Sequence, residues 1–390
     1  MPPFSQRSGR DFTPNAYAQA LADARARGRE LFDLSSGNPT EQGLGFSSDA
    51  LAAVLEHPDL ARYQPAPFGL YSARASVSED LRRYGLAVAP EQIMLTASTS
   101  EAYGMLFKLL CDPGDSVLVP APSYPLLEEL AALENVKLVP YTLSYDGEWH
   151  IDPEGVRAAN AAAQYRARAI VTIHPNNPTG SYLKRHELSL LTSLNLPIIS
   201  DEVFADYALD GTRKHVASAL IGAQHNLVFR LSGLSKSLCL PQLKLAFTAI
   251  AGPSELTRVA CERLEHMADA YLSPSNVAQL ALPTLLNERE RVQSQVLARV
   301  RRNREELARA LTGSTGSVLR IEGGWYAVVA MPAVRDDEAW ALALLQKRSL
   351  IVQPGYFFDM QGTHLVLSLI TPEPVFDEGL RRLRSALDEL

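Results

Sequence analysis

Along this chain, compact runs of apolar residues alternate with stretches in which apolar positions recur every three or four residues. The runs at 92–95, 117–119, 136–139, 169–174, 198–199 and 227–231 are rich in branched side chains, so they predict strands buried on both faces. Between them, 100–110 places Ala102, Met105, Leu106 and Leu109 on one side of a helix, and 126–133 and 185–194 predict two more helices. Strands that alternate with helices over short connections imply an α/β large domain, a mostly parallel sheet flanked by helices.

The pattern changes at both ends. Residues 16–31 have a helical pattern, and the polar turn DLSSGNPT follows, where Gly37 before Asn38-Pro39 forces a change of direction. Around 292–311 a long charged helix aligns Val292, Val296, Val300, Leu307 and Leu311 along one side. Strands at 325–331, 351–352 and 365–369 and a closing helix at 374–387 then suggest a smaller α+β C-terminal domain. The expected organisation is an arm over 1–45, a large domain over 46–285 and a small domain over 286–390.

At 390 residues, 46% of them apolar, the chain can fill two cores. A net charge of -7 without a Lys/Arg block points away from nucleic acid and toward small-molecule partners. Cys111, Cys239 and Cys261 have no metal-ligand spacing and no disulfide framework, which suits a reducing compartment. MPPFSQRSGRDF lacks a signal-peptide core, and no apolar run nears the roughly 18 residues of a membrane span. A cytoplasmic protein, with no metal and no membrane partner, is the expectation.

Five stretches carry candidate chemistry, and each follows a strand. TASTSE places Ser98, Thr99 and Ser100 at a helix start, which reads either as ordinary capping or as a phosphate seat on unpaired N–H groups. VPAPSYP holds Tyr124 near the same sheet edge, to pack or to lie against a planar ring. HPNNPTG is a turn whose Asn177 can reach into a site. IISDEVF ends a strand on Asp201, at the edge where open α/β sheets bind ligands, or else Asp201 only caps the next segment. SGLSK sets Lys236 in a turn of small residues, unlike a solvated surface lysine. Together the five describe one site along one sheet edge.

These motifs, with GNPT, YQPAPFGLYSAR and GGWY in the same order, make the chain resemble the class I and II aminotransferases of the fold type I pyridoxal-phosphate enzymes. NNPTG together with SGLSK is the specific part. The resemblance implies that Lys236 forms the Schiff base to pyridoxal 5'-phosphate and then moves the proton. It implies that Asp201 pairs with the ring nitrogen, that Asn177 bonds the phenolic oxygen, and that Tyr124 stacks on the ring. Ser98, Thr99, Ser100 and Ser235, with Ser232 nearby, would seat the phosphate. Tyr63 would reach it from the neighbouring subunit, which implies a homodimer with shared active sites. Gly37 would meet the substrate through its backbone, and the partners would be a small-molecule amino donor and an oxo acceptor.

Three positions depart from that family's pattern. Phe204 stands where a tyrosine is usual, so one hydrogen bond to the phenolic oxygen is missing. Lys244 takes the place of a phosphate-binding arginine and keeps the charge without the fork. Val366 falls where an arginine would bind the substrate carboxylate, and no lysine or arginine lies between Arg348 and Arg381. His364, on the same strand face if that strand starts one residue early, is a candidate anion holder or simply an edge-strand histidine. Other readings are a different pyridoxal-phosphate reaction, such as β-elimination or Cα–C cleavage, and a non-catalytic ligand-binding derivative. A nicotinamide dehydrogenase is disfavoured, because no G-x-G-x-x-G follows an early strand.

Overall fold

The structure is a computed structural model that describes residues 4–8, 13–209 and 215–389. Parts of the expected arm, residues 1–3 and 9–12, and residue 390 lie outside the described residues, so MPPFSQRSGRDF is only partly covered.

In chain order the strands are β1 (Phe32–Asp33), β2 (Ile93–Thr96), β3 (Ser116–Ala121), β4 (Lys137–Tyr145), β5 (Trp149–Ile151), β6 (Ala167–Ile173) and β7 (Ile198–Asp201). They continue as β8 (Val228–Gly233), β9 (Ala246–Ala251), β10 (Ser317–Val318), β11 (Tyr326–Ala330), β12 (Leu350–Ile351), β13 (Gln353–Pro354) and β14 (His364–Ser368). Eight of them form one sheet in the order β2-β9-β8-β7-β6-β3-β4-β5. Pairing is parallel from β8 through β7, β6 and β3 to β4, and antiparallel where β9 and β5 join.

Neighbouring strand residues enter opposite cores, which is why the strands read as continuous apolar runs. Ile93, Leu118, Ile170, Ile198 and Val228 share one cluster with Val77, Val156 and Leu191 of three covering helices. Met94, Val117, Val171, Ile199 and Phe229 share the other with Leu106, Leu127 and Leu264 of the helices Thr99–Leu110, Leu126–Leu133 and Ser254–Asp269. Burying each such side chain stabilises the fold by about 1.5–3 kcal/mol relative to leaving it exposed.

A second, four-stranded antiparallel sheet has the order β10-β11-β14-β13. Its Ala327, Val329, Leu365 and Leu367 pack against Val292, Val296, Val300 and Leu307 of the helix Arg289–Leu311. The first turn of that helix grips the large sheet's side, since Arg289 pairs with Asp80 and Asp206 and Gln293 donates to Ser237 O at 3.1 Å.

Several details differ from the sequence expectations. The first helix ends at Ala26, because Gly28 takes a left-handed φ of 64° just beyond it. The arm then packs on the small sheet's side: β1 pairs in parallel with β12, and Tyr17 Oη donates to Val352 O at 2.7 Å. The SGLSK segment is one helical turn, Leu234–Ser237, after which the chain reverses through Pro241 and returns as β9, a strand the pattern did not single out.

Candidate active site

The carboxyl ends of β2, β6, β7 and β8 lie on one edge of the large sheet and surround a cavity of about 500 Å³. At the end of β8, Gly233 passes so close to β9 that an added Cβ would stand 2.9 Å from Ala246 Cβ. That close approach lets the chain turn at once into the short helix that carries Lys236. The amine of Lys236 donates to Gly37 O at 3.4 Å and sits 5.0 Å from the Trp325 ring centroid and 5.6 Å from that of Phe204. Tyr207 Oη donates to Lys236 O at 2.5 Å and fixes the turn from below. Burial lowers the pKa of the ammonium, opposed by Cys239 and Asp201. The side chain is therefore biased toward the neutral amine that a nucleophile needs.

At the end of β7 the two adjacent carboxylates have different surroundings. Asp201 lines the cavity and accepts from Val203 N at 3.2 Å and from Tyr103 Oη at 3.3 Å. Burial outweighs those donors and pushes its pKa up to about 6. Glu202 is turned into the interior, where it accepts from Ser200 Oγ, Ser218 Oγ and Ala219 N and pairs with Arg230 Nε at 2.6 Å. This buried pair anchors the segment that aims Asp201 outward.

Ser98 caps the helix Thr99–Leu110 by accepting from Glu101 N at 3.1 Å, so the capping reading holds, and Ser98, Thr99 and Ser100 also line the cavity. Lys244, Ser235, Tyr124, Asn177 and Gly37 line the same space. In the NNPTG turn, Asn176 spends its side chain locally, accepting from Thr179 and donating to Pro122 O, whereas the buried Asn177 Oδ1 has no partner. The first asparagine shapes the turn and the second faces the cavity.

Three sequence candidates are not brought to this cavity. Ser232 stays inside β8, buried. Tyr63 is 72% exposed on the surface. His364 does begin β14, one residue earlier than the apolar run suggested, but it lies opposite Ala330 and beside Gly355 and Gly362, outside the cavity lining. It is half-buried there, and burial lowers its pKa, with Asp337 opposing.

Sequence reasoning also missed residues that reach the site. Tyr103 touches Asp201 from the face of its helix adjoining Ala102 and Leu106, a position the apolar periodicity alone marks as core. Tyr326 lines the cavity because EGGWY is stitched onto the large sheet's side. Gly323 N donates to Gly180 O, Gly324 N to Tyr207 O, and Glu322 pairs with Lys184. A half-buried lysine and a buried carboxylate, with a rim of small residues on a parallel sheet edge, make an arrangement suited to covalent amine chemistry.

The profile described as Aminotransferase class I and II matches residues 29–382, and the chain belongs to that family. It is 29% identical over 345 residues to the glutamate-pyruvate aminotransferase AlaA of Escherichia coli (strain K12), covering 85% of this chain and 84% of that protein. It is 29% identical over 381 residues to the aspartate/prephenate aminotransferase of Thermus thermophilus, covering 95% and 94%. Among solved structures, an alanine aminotransferase from Pyrococcus furiosus superposes with a TM-score of 0.88 at 23% identity over 99% of this chain and 100% of that one, a likeness of fold. A double mutant of the Thermus thermophilus aspartate aminotransferase gives 0.82 at 25% identity, covering 99% and 100%. The protein is an aminotransferase with the fold type I architecture, an enzyme that moves amino groups between amino and oxo compounds, and its family is generally pyridoxal-phosphate dependent. No helix among the described residues is long and apolar enough to cross a membrane.

Proposed function

We propose that this aminotransferase works with pyridoxal 5'-phosphate held in the cavity around Lys236. The observation that carries the reading is the company of that lysine: a half-buried amine of lowered pKa, Asp201 in the same cavity, and the side-chain amide of Asn177, which lines it and can donate through its N–H. A flat pyridine carrying an aldehyde, a phenolic oxygen and a phosphate would use each of these groups. When bound, the cofactor supplies an electron sink for the carbon that carries the amine.

The chain's own residues then have these roles. Lys236 holds the cofactor covalently and, once released, carries a proton to and from the amine-bearing carbon. Asp201 accepts the proton-bearing ring nitrogen as a hydrogen-bond donor, which favours its charged form against the burial that opposes it. Asn177 bonds the phenolic oxygen, and Phe204 beside it offers only a ring edge. The N–H groups of Thr99 and Ser100, unused by the helix's own bonding, receive the phosphate with Ser98, Ser235 and Lys244. Tyr124, 40% exposed at the cavity rim, covers the ring.

Tyr63 supports a homodimer with shared sites, because an aromatic ring so exposed and off its own chain's cavity suits work across a subunit boundary. Domain limits near 46–285 and 286–390 and a reducing, cytoplasmic setting belong to the same reading. To test the reading, the cofactor is titrated into apo-protein. A visible band that disappears when an amino donor is added and returns with an oxo acceptor is expected, and Lys236→Ala should lack that cycle.

A further inference from the structure

On the substrate side of the cavity, the sheet face of β11 and β14 decides what can bind. Val328 lies opposite Val366 and Tyr326 opposite Ser368, so Tyr326, Val328 and Val366 share one face. Val366 is 0% exposed, packed in the same core cluster as Val328 and partly buried Tyr326. What this face shows the cavity is therefore the Tyr326 ring and hydroxyl. A Cβ built on Gly37 would stand 2.0 Å from Tyr326 Oη, so the hydroxyl lies against the Gly37 backbone, and Gly37 O receives Lys236 Nζ at 3.4 Å. Hydroxyl and amine thus both lie beside Gly37.

The charges around the cavity point the same way. Among the described residues, the cations that line it are Lys236 and Lys244. With the roles proposed above, the cofactor occupies the first covalently and the phosphate neutralises the second. A carboxylate on the reacting carbon would then lie against Phe204, Tyr326 and Gly37 with no further cation among the described residues that line the cavity, and an unpaired buried charge is costly. The Tyr326 hydroxyl stays protonated across neutral pH, since burial and then Tyr124 push its pKa up to about 12. It can donate to an uncharged oxygen, but it brings no positive charge to offset the desolvation of a carboxylate.

We propose that the preferred amino donor carries an uncharged oxygen substituent, such as a carboxamide, instead of a carboxylate on its amine-bearing carbon, and that Tyr326 is the specificity-determining residue that binds it. The transfer balances as for any amine and oxo compound: the donor gives up NH2 and the hydrogen on its carbon and leaves as the oxo compound. The acceptor, an oxo compound of the same uncharged kind, gives up its oxygen and takes both.

This inference rests on the proposed cofactor chemistry, and the experiment separates the two. Cofactor-loaded protein is first checked for hydride labelling at Lys236. Isobutyramide and isobutyrate, which have no amine to react, are then titrated by calorimetry, and half-reactions with alaninamide and L-alanine are followed by absorbance. The amide should bind at least about tenfold more tightly than the carboxylate, and alaninamide should react with the higher kcat/KM. Tyr326→Phe should weaken the amide by about 2- to 10-fold. Labelling at Lys236 together with a preference for L-alanine and isobutyrate overturns this inference alone, and absence of the label overturns both. If Tyr326→Phe fails to fold, the comparison of the two ligands in the wild-type protein decides.

Discussion

Tyr103 Oη stands 3.3 Å from Asp201 Oδ2, so the helix whose first turn lines the cavity rim also reaches back to the carboxylate at its floor. Tyr103→Phe removes that donor and keeps the packing. Urea unfolding should show a loss of about 0.5–1.5 kcal/mol, the ordinary net value of one hydrogen bond, with cofactor loading retained. A fully unchanged unfolding midpoint would mean that the contact contributes nothing.

Asp201 makes the cofactor-free protein pH-sensitive in a definite direction. Its folded pKa of about 6 lies above its ordinary 3.8, so between these values the native state holds more protons than the unfolded one. Stability from this group is therefore complete below about pH 4 and lost as the pH rises through 6. Asp201→Asn should make the apo-protein more stable than wild type at pH 7.5, by about 1–3 kcal/mol, with the gap closing toward pH 4. The same substitution should depress amino transfer sharply, because an amide cannot hold the ring nitrogen protonated. Denaturant curves at the two pH values check the first part and steady-state assays the second.

The Glu202–Arg230 pair is buried on both sides, at 0% and 2% side-chain exposure, and Arg230 also lies 5.1 Å from the Tyr84 ring centroid. Removing one partner leaves the other charge stranded, so Arg230→Met should cost about 3–5 kcal/mol, and Glu202→Gln/Arg230→Met together should cost clearly less. Equal losses in the single and double variants would contradict this coupling.

Gly37 has no space for a side chain, since an added Cβ would meet Tyr326 Oη at 2.0 Å and Cζ at 3.2 Å. Gly37→Ala should lower kcat/KM at least about tenfold while cofactor loading persists, with an overpacking cost of about 1–3 kcal/mol. Combining it with Tyr326→Phe, which removes the nearest atom, should recover part of the loss. No recovery would show that the glycine is needed for another reason.

Much of the site was legible in the sequence because each of its main residues follows a strand, and parallel strands deliver their carboxyl ends to one edge. That is how Ser98, Tyr124, Asn177, Asp201 and Lys236 share a cavity although they are spread over 139 positions of the 390-residue chain. Contacts that depend on packing between distant elements were not legible. Tyr103 reads as one more core residue of an apolar face, and nothing in GGWY alone says that Tyr326 would touch Gly37. The pairing of β1 with β12 joins segments over 300 residues apart, and no local pattern announces it. The extent of the cavity along β14 was not legible either, since period two gives the face of a strand but not how far along that face a cavity lining extends.

The most direct measurement is to load the protein with pyridoxal phosphate, reduce it with borohydride, digest it and map the label. The account predicts one labelled peptide, modified on Lys236 in the turn Leu234–Ser237. A label on Lys244 or on any surface lysine, or none in a protein that retains cofactor, would contradict it.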